Sequence, residues 1–227
     1  MNAALTAPRE TGPVTVGRRE RKKQATRAAL SEAALRLSLE HGVENVTVEQ
    51  IADEADVSLR TFFNYFSSKE EAVVAGDAAR GELLVEQFRA RPASESVVTA
   101  LRAAALAFVD DLVGGQRMED LRMMRRSPSL LPHQLAAYAA GERALAIAVA
   151  ERIGQDVADD VPGDDRPVGL YPALVAATTM AGIRVAMQHW TDGPGAGPRD
   201  AAVLHGTVAE VFAGLGRGLD VAPPAER

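Results

Sequence analysis

Hydrophobic residues recur along most of this chain at intervals of three and four positions, the spacing of one face of an α-helix. No stretch alternates apolar and polar residues as a strand does, and no hairpin signal stands out. Long helices and one shorter helix are predicted over about residues 19–40, 69–88, 94–113, 117–126, 131–153, 168–190 and 200–219. The pattern therefore predicts an all-α fold.

Two further, short helices are predicted from their capping residues. Thr47-x-x-Gln50 is a capping box, so one helix covers about residues 48–55. Ser58 caps the next helix, which covers about residues 59–65. Two short helices joined by a tight turn form a helix-turn-helix, which can place its second helix in the major groove of DNA.

The second short helix is expected to have a buried face and an exposed face. A small apolar core would hold the two helices together, formed by Ile51, Ala52, Val57, Phe62 and Phe66. An Arg side chain can pair with guanine, an Asn side chain with adenine, and a Thr methyl group can contact a thymine methyl group. We therefore expect base contacts from the outward-facing residues of this helix, Arg60, Thr61, Phe63 and Asn64.

A basic cluster precedes the helix-turn-helix. Residues 18–27 contain six basic residues and one acidic residue, a net charge of +5, whereas the whole chain has a net charge of −6. Such a cluster is either a solvated helix start or a phosphate-binding surface, and its position beside a helix-turn-helix favours phosphate binding. We expect phosphate contacts from residues in and around this motif: Arg19, Lys22, Lys23, Thr47, Ser58, Tyr65 and Lys69.

These motifs together resemble the DNA-binding signature of the TetR family of bacterial repressors, over about residues 19–75. The matching positions are Thr47, Ile51, Ala52, Ala55, Val57, Ser58, Thr61, Phe62, Phe63, Tyr65, Phe66, Lys69 and Glu70. Asp56 departs from the pattern, because the family often has Gly there, but Asp tolerates a left-handed turn better than most residues. Phe63 also departs, since the family often has Tyr, and it lacks the hydroxyl group that can touch a phosphate.

The resemblance implies an all-helical homodimer of about nine helices per subunit. In the family, the last two helices of each subunit form a four-helix bundle across the dimer axis. The fourth to seventh helices enclose a ligand pocket, and ligand binding moves the fourth helix so that the two recognition helices no longer match the operator. On this plan, the dimer interface is expected at Val175, Thr179, Ile183, Trp190, Val208, Val211 and Phe212.

The second half of the chain is similar to actinobacterial regulators related to the mycofactocin regulator, in LRMMRRSPSLLPHQL and in the helices that follow. Some members of that branch sense acyl-CoA thioesters, which implies an apolar or acyl-type effector. A ligand pocket is expected at Phe108, Met118, Leu121, Met124, Leu131, Tyr138, Met180 and Arg184. The Met residues of this set either line a pocket or are ordinary core residues. The arginines at 122, 125 and 126 form either a site for an anionic group of the ligand or surface salt bridges.

The composition gives no support to catalysis, metal binding or membrane insertion. The chain has no cysteine, its four histidines are dispersed, and no catalytic motif is visible, so we expect no enzyme activity, no metal and no cofactor. No apolar run approaches the roughly 18 residues of a membrane span. The first residues lack the basic start and apolar core of a signal peptide, so a cytoplasmic protein is expected.

The expected organisation is a disordered arm over residues 1–17, a DNA-binding domain over 18–68, a ligand-binding and dimerisation domain over 69–220, and a disordered tail over 221–227. The predicted function is a transcriptional repressor, released from a palindromic operator by a small effector. The alternatives are a ligand-dependent activator, a nucleoid-type DNA binder, and an α-helical enzyme with an incidental helix-turn-helix.

Overall fold

The computed structural model describes residues 17–113, 123–124, 126–155, 168–192 and 201–216. No strand occurs within these ranges. The helices are α1 (Arg18–His41), α2 (Val48–Glu54), α3 (Leu59–Phe63), α4 (Lys69–Arg89), α5 (Val97–Val113), α6 (Leu131–Arg152), α7 (Leu170–Asp192) and α8 (Ala201–Gly216). The all-α prediction is confirmed. Residues 123, 124 and 126 are also helical, and the rest of the predicted helix 117–126, the arm before Gly17 and the tail lie outside the described residues.

Helix ends follow local chemistry closely. Gly42 ends α1 with φ of 82°, a left-handed value that glycine adopts at little cost, and its N–H donates to the Ser38 carbonyl. A 3₁₀ turn, Val43–Asn45, then leads to α2. A second 3₁₀ turn, Pro128–Leu130, leads directly into α6. Pro172 lies in the first turn of α7, where a missing backbone N–H costs nothing.

Two hydrophobic cores organise the described residues. The head core lies among α1, α2, α3 and the first half of α4, around Leu30, Ile51, Phe62, Phe66 and Val73. The body core lies among the second half of α4 and α5 to α8, and includes Phe88, Leu101, Leu145, Trp190 and Leu204. Helix α4 contributes to both cores and so connects the head to the body without a break.

Most of the predicted dimer-interface residues are buried inside the single chain. The body core contains Thr179, Ile183, Trp190, Val208 and Phe212, which are all 9% exposed or less. Val175 and Val211 are partly buried against the same core. A Cβ atom added at Gly182 would lie 2.6 Å from Cγ1 of Val211, so α7 and α8 meet closely at this point. The five buried side chains have little surface left for a second subunit, because an apolar stripe shows that a face is buried but not whether the same chain or a second chain covers it. Val175 and Val211 keep part of their surface, so an interface there stays a prediction.

The exposed apolar residues of α7 and α8 lie elsewhere. Leu170, Tyr171, Leu174 and Val185 of α7 are 84%, 51%, 58% and 50% exposed, and Val203 of α8 is 53% exposed. Among the described helices, Leu170–Trp190 is long and apolar enough to cross a membrane by length and composition, with a mean hydropathy of 1.3. Single helices of this kind also occur in the cores of proteins that never enter a membrane, and Ala176, Ile183 and Ala186 of α7 pack into the body core.

Candidate nucleic-acid interface

The turn between α2 and α3 has the geometry that the capping residues predicted. The Thr47 hydroxyl accepts a 3.3 Å hydrogen bond from Gln50 N, and Gln50 Oε1 accepts a 2.9 Å bond from Thr47 N, which completes the capping box. Asp56 has φ of 51°, the left-handed conformation expected where the family often has Gly. The Val57 N–H then donates to the Ala52 carbonyl at 2.9 Å, which closes the turn.

Helix α3 is shorter than predicted but keeps its residues in helical register. It ends at Phe63 rather than near Tyr65, and Asn64 follows as a C-cap with φ −75° and ψ −16°. The Asn64 N–H donates to the Arg60 carbonyl at 3.2 Å, so Arg60 and Asn64 lie one turn apart on the same face. Arg60, Phe63 and Asn64 are all exposed, which is the placement that base contact requires.

Thr61 is less free than the other predicted base-contact residues. Its N–H donates to the Ser58 hydroxyl at 3.1 Å, and the two hydroxyl groups lie 2.9 Å apart. One hydroxyl proton is used in the bond between them. The Thr61 side chain is partly buried, and its methyl group is the part that this bond leaves available for a thymine methyl group.

The aromatic residues in and just after α3 divide between scaffold and surface. Phe62 and Phe66 are 0% and 2% exposed, with ring centroids 5.8 Å apart. Phe63 is 58% exposed, and its ring meets that of Phe62 edge-on at 5.4 Å. The predicted scaffold role of Phe62 and Phe66 is confirmed, and Phe63 remains on the surface beside Arg60 and Asn64.

Arg27 of α1 holds the end of the recognition segment. Its guanidinium lies 4.5 Å above the ring of Phe66, and its Nη1 donates to the Tyr65 carbonyl at 3.0 Å. Cation–π contact and a charged hydrogen bond together fix the chain just after α3. Arg27 therefore has a scaffold role that its place in the basic cluster did not reveal.

Lys69, the first residue of α4, is also held by the scaffold. Its Nζ lies 2.8 Å from the carbonyl oxygens of Val43 and Val46 and 3.4 Å from that of Glu44. An ammonium group has three protons, and three carbonyl acceptors surround this one. The arrangement runs against the predicted phosphate contact of the Lys69 side chain, because it leaves no proton for a phosphate.

Other predicted phosphate contacts lie where solvent can reach them. Arg19, Lys22 and Lys23 are exposed on the first turns of α1. Thr47 is exposed, and its hydroxyl accepts the capping bond, so its proton can still be donated. Two residues are more restricted, since the exposed Ser58 shares its hydroxyl with Thr61 and Tyr65 is partly buried against the head core.

The start of α4 carries a perturbed carboxylate. Burial alone would raise the pKa of Glu71, but the N–H and hydroxyl of Ser67 donate to its Oε2 at 2.8 and 2.7 Å and lower that pKa below its usual value, with help from the charges of Arg27 and His133. The residues Ser68-x-x-Glu71 have the spacing of a capping box and form half of one. Ser68 Oγ accepts from Glu71 N at 3.1 Å, while the carboxylate of Glu71 bonds to Ser67 instead of Ser68.

The predicted pocket residues fall into different environments. Met124 is 3% exposed and packs in the head core, apart from the predicted pocket residues that lie against the body core. Leu131 and Tyr138 of α6 are 53% and 42% exposed, and Arg184 of α7 is exposed, so within the single chain none of these three side chains is enclosed. Spacing along a helix did not reveal which core each residue joins. Phe108 and Met180 do share one environment, partly buried against the body core, and Met118 and Leu121 lie outside the described residues.

The body reaches into the head through the segment that ends in the second 3₁₀ turn. Leu130 is 0% exposed and lies with Met124 in the head core. The Ser129 hydroxyl donates to Glu44 Oε1 at 2.7 Å, and Gln134 Nε2 donates to the Met124 carbonyl at 2.9 Å. Sequence reasoning missed this joint and the role of Arg27, since both depend on residues far apart in the chain.

Within the described ranges, no three His, Asp or Glu side chains are close enough to hold a metal ion. His205 pairs with Asp110 at 2.8 Å and so links α8 to α5. Arg126 is exposed, and the arginines at 122 and 125 lie outside the described residues.

Comparison with known proteins agrees with this arrangement. The family model of the bacterial regulatory proteins of the tetR family matches residues 30–75, and the MftR C-terminal domain model matches residues 92–220, which is over half of the chain. The HTH-type transcriptional regulator TcmR of Streptomyces glaucescens is 34% identical over 182 residues, 77% of this chain and 76% of TcmR.

A second relative, named as the mycofactocin biosynthesis transcriptional regulator MftR of Mycobacterium tuberculosis, is 29% identical over 208 residues, 88% of this chain and 94% of MftR. The solved structure of Thermus thermophilus FadR, a TetR-family repressor in complex with lauroyl-CoA, is 21% identical with a TM-score of 0.54, covering 88% of this chain and 99% of that chain. Its low identity shows a shared fold alone. The capped helix-turn-helix and the two matching family models show that this chain belongs to the TetR family of DNA-binding transcriptional regulators, and that it is not an enzyme.

Proposed function

We propose that the protein is a repressor that binds a palindromic operator as a homodimer and leaves it when a small apolar or acyl-type effector binds the body. The observation that carries the proposal is the exposed face of α3, where Arg60, Phe63 and Asn64 project from a helix-turn-helix braced by Arg27 and Lys69. A rigid support is what base recognition needs, because small displacements break bidentate contacts to base edges.

Phosphate contacts would come from the exposed basic turns of α1, at Arg19, Lys22 and Lys23, with Thr47, Ser58 and Tyr65 around α3. These contacts position the protein on the duplex without reading sequence. A dimer with two such heads would read half-sites roughly 34–36 Å apart in successive major grooves.

The dimer interface is proposed at the exposed face of α7, with Val203 of α8. Tyr171, Leu174, Thr178, Ala181 and Val185 of α7 follow one another at alternating intervals of three and four. This is the spacing of a helix–helix seam. The first two and Val185 are large apolar residues at least half exposed, which a second subunit would cover.

The effector is proposed to bind the body near Phe108 and Met180, which lie on the body core. Support for an acyl-type effector comes from the match to the MftR C-terminal domain and from the lauroyl-CoA bound to the same fold in Thermus thermophilus FadR. Such a ligand would release DNA by binding more tightly to the conformation with mismatched heads. A cytoplasmic location follows from this function.

The test begins with selection of duplexes by the purified protein from a random-sequence library. We expect a palindromic consensus, and we expect Arg60→Ala and Asn64→Ala each to weaken binding to it by about tenfold or more, with little change on scrambled DNA. Failure to enrich any sequence would overturn operator recognition. In vitro transcription from a promoter carrying the consensus then gives the sign: less transcript supports a repressor, and more supports the activator alternative.

A further inference from the structure

We infer that Lys69 is a positioning residue for operator recognition, and that its side chain acts through the protein scaffold and not through a DNA phosphate. The inference rests on the proposed DNA-binding function. The ammonium group of Lys69 donates to three backbone carbonyls, those of Val43 and Val46 at 2.8 Å and that of Glu44 at 3.4 Å.

The location of these carbonyls gives the contact its importance. Val43 and Val46 are 3% and 2% exposed and anchor the turn in the head core. Thr47, the N-cap of α2, follows directly. Helix α3 packs on α2 through Phe62 and Ile51, which share the head core. Lys69 therefore fixes the turn that determines where α2 begins, and α2 determines where α3 lies.

Helix stability does not explain a lysine at this position. The N-terminus of a helix has a positive partial charge, so a cation at the first residue of α4 is disfavoured there. The same ammonium group is instead satisfied by carbonyls of the turn that follows α1, which ends at His41. The lysine thus joins the start of α4 to the turn after α1.

The test uses Lys69→Met, which keeps much of the apolar stem but removes the charge and the donors, and Lys22→Met as a control at an exposed lysine of α1 in the same head. Affinity is measured by fluorescence anisotropy with labelled duplexes, one selected by the wild-type protein and one scrambled, over a series of salt concentrations. A phosphate contact adds about 0.9 per contact to the slope of log K against log salt.

We expect Lys69→Met to lose about tenfold or more in affinity for the selected duplex, with the salt slope of the wild type and little loss on scrambled DNA. Lys22→Met should flatten the slope on both duplexes. Lys69→Arg, which can still donate to the carbonyls, should recover most of the specific affinity. A residue that only stabilised the fold would reduce binding to both duplexes equally and leave their ratio unchanged.

A measurement without DNA separates this inference from the proposed function. Hydrogen exchange at the amides of residues 43–48 should accelerate in Lys69→Met and stay at the wild-type rate in Lys22→Met. If Lys69→Met is unfolded at the assay temperature, Lys69→Gln, which keeps a neutral donor, takes its place. The positioning role would be overturned by any of three results for Lys69→Met. These are a salt slope flattened as much as in Lys22→Met, an unchanged affinity for the selected duplex, or an unchanged rate of hydrogen exchange at residues 43–48. A wild-type protein that selects no duplex would instead overturn the proposed function.

Discussion

The hydroxyl of Ser129, from the 3₁₀ turn before α6, donates a 2.7 Å hydrogen bond to Glu44 Oε1 in the turn between α1 and α2. The neighbouring Leu130 is fully buried in the head core. A residue of the body thus completes the core of the head, in addition to the covalent connection through α4. The head and the body are therefore joined at two places, through α4 and through the 3₁₀ turn before α6.

Truncation of the Leu130 side chain should destabilise the head although Leu130 lies outside the DNA-binding segment. Leu130→Ala removes buried methyl groups and leaves a cavity, so we expect a loss of about 2–5 kcal/mol in the free energy of unfolding. Urea denaturation followed by circular dichroism measures it. Leu135→Ala, at a leucine of α6 that is 58% exposed, is the matched control and should change stability by about 0.5 kcal/mol or less. Equal losses in the two variants would show that Leu130 does not support the head.

The two halves of the Thr61 side chain should contribute differently to recognition. The hydroxyl is engaged by Ser58, so base contact falls to the methyl group. Thr61→Val keeps a methyl group and should bind the selected duplex within about threefold of wild type, since an exposed hydrogen bond is worth only about 1 kcal/mol. Thr61→Ser keeps the hydroxyl and should lose preference for thymine at one position of each half-site. Competition among duplexes that vary at each position measures this preference, and the opposite ranking of the two variants would assign recognition to the hydroxyl.

Charge on the exposed face of α7 should separate the subunits. Leu174→Asp places a carboxylate at a residue that is 58% exposed in the single chain, where burial against a partner would leave it unpaired. We expect a monomer by analytical ultracentrifugation and operator affinity near the non-specific level, which is typically about 10³-fold weaker or more. Val98→Asp, at a valine of α5 that is 43% exposed, is the control and should stay dimeric. A dimeric Leu174→Asp would exclude this face as the interface.

The lowered pKa of Glu71 should make the stability of the fold depend on pH in a defined direction. Burial opposes ionisation, but the Ser67 N–H and hydroxyl together with Arg27 and His133 favour it more strongly, so the folded pKa lies below the usual 4.5. The unfolded chain then binds a proton more readily than the folded chain, and stability from Glu71 is present above the unfolded value and lost as pH falls through the folded value.

Glu71→Gln should therefore be less stable than the wild type near pH 7, and the difference should shrink as pH falls below about 4.5. Urea denaturation at several pH values measures it. Glu82→Gln, at an exposed glutamate of the same helix, is the control and should show no such convergence. A stability difference that stays constant with pH would rule out the ionised Glu71 as its source.

The sequence alone was sufficient for the helix-turn-helix because its determinants are local. The bonds of Thr47 to Gln50 and of Ser58 to Thr61 span three residues, and the left-handed Asp56 needs only its own backbone. Side-chain caps and turn residues report on such contacts directly. The all-α fold follows for the same reason, since helical periodicity repeats every few residues.

Only the tertiary structure decided which side chains lie in a core, which are held by other parts of the chain and which stay exposed. Lys69 lies 26 residues from Val43, Arg27 lies 38 from Tyr65, and Ser129 lies 85 from Glu44. No periodicity encodes these pairs, because each depends on how separate helices pack. Trp190 and Phe212 were assigned to the dimer interface and Met124 to a pocket, yet all three are buried in the cores of one chain. The hydrophobic effect is not directional: burial of an apolar side chain is equally favourable against its own chain, a second subunit or a ligand. Only the packing of the helices shows which apolar side chains the chain itself buries.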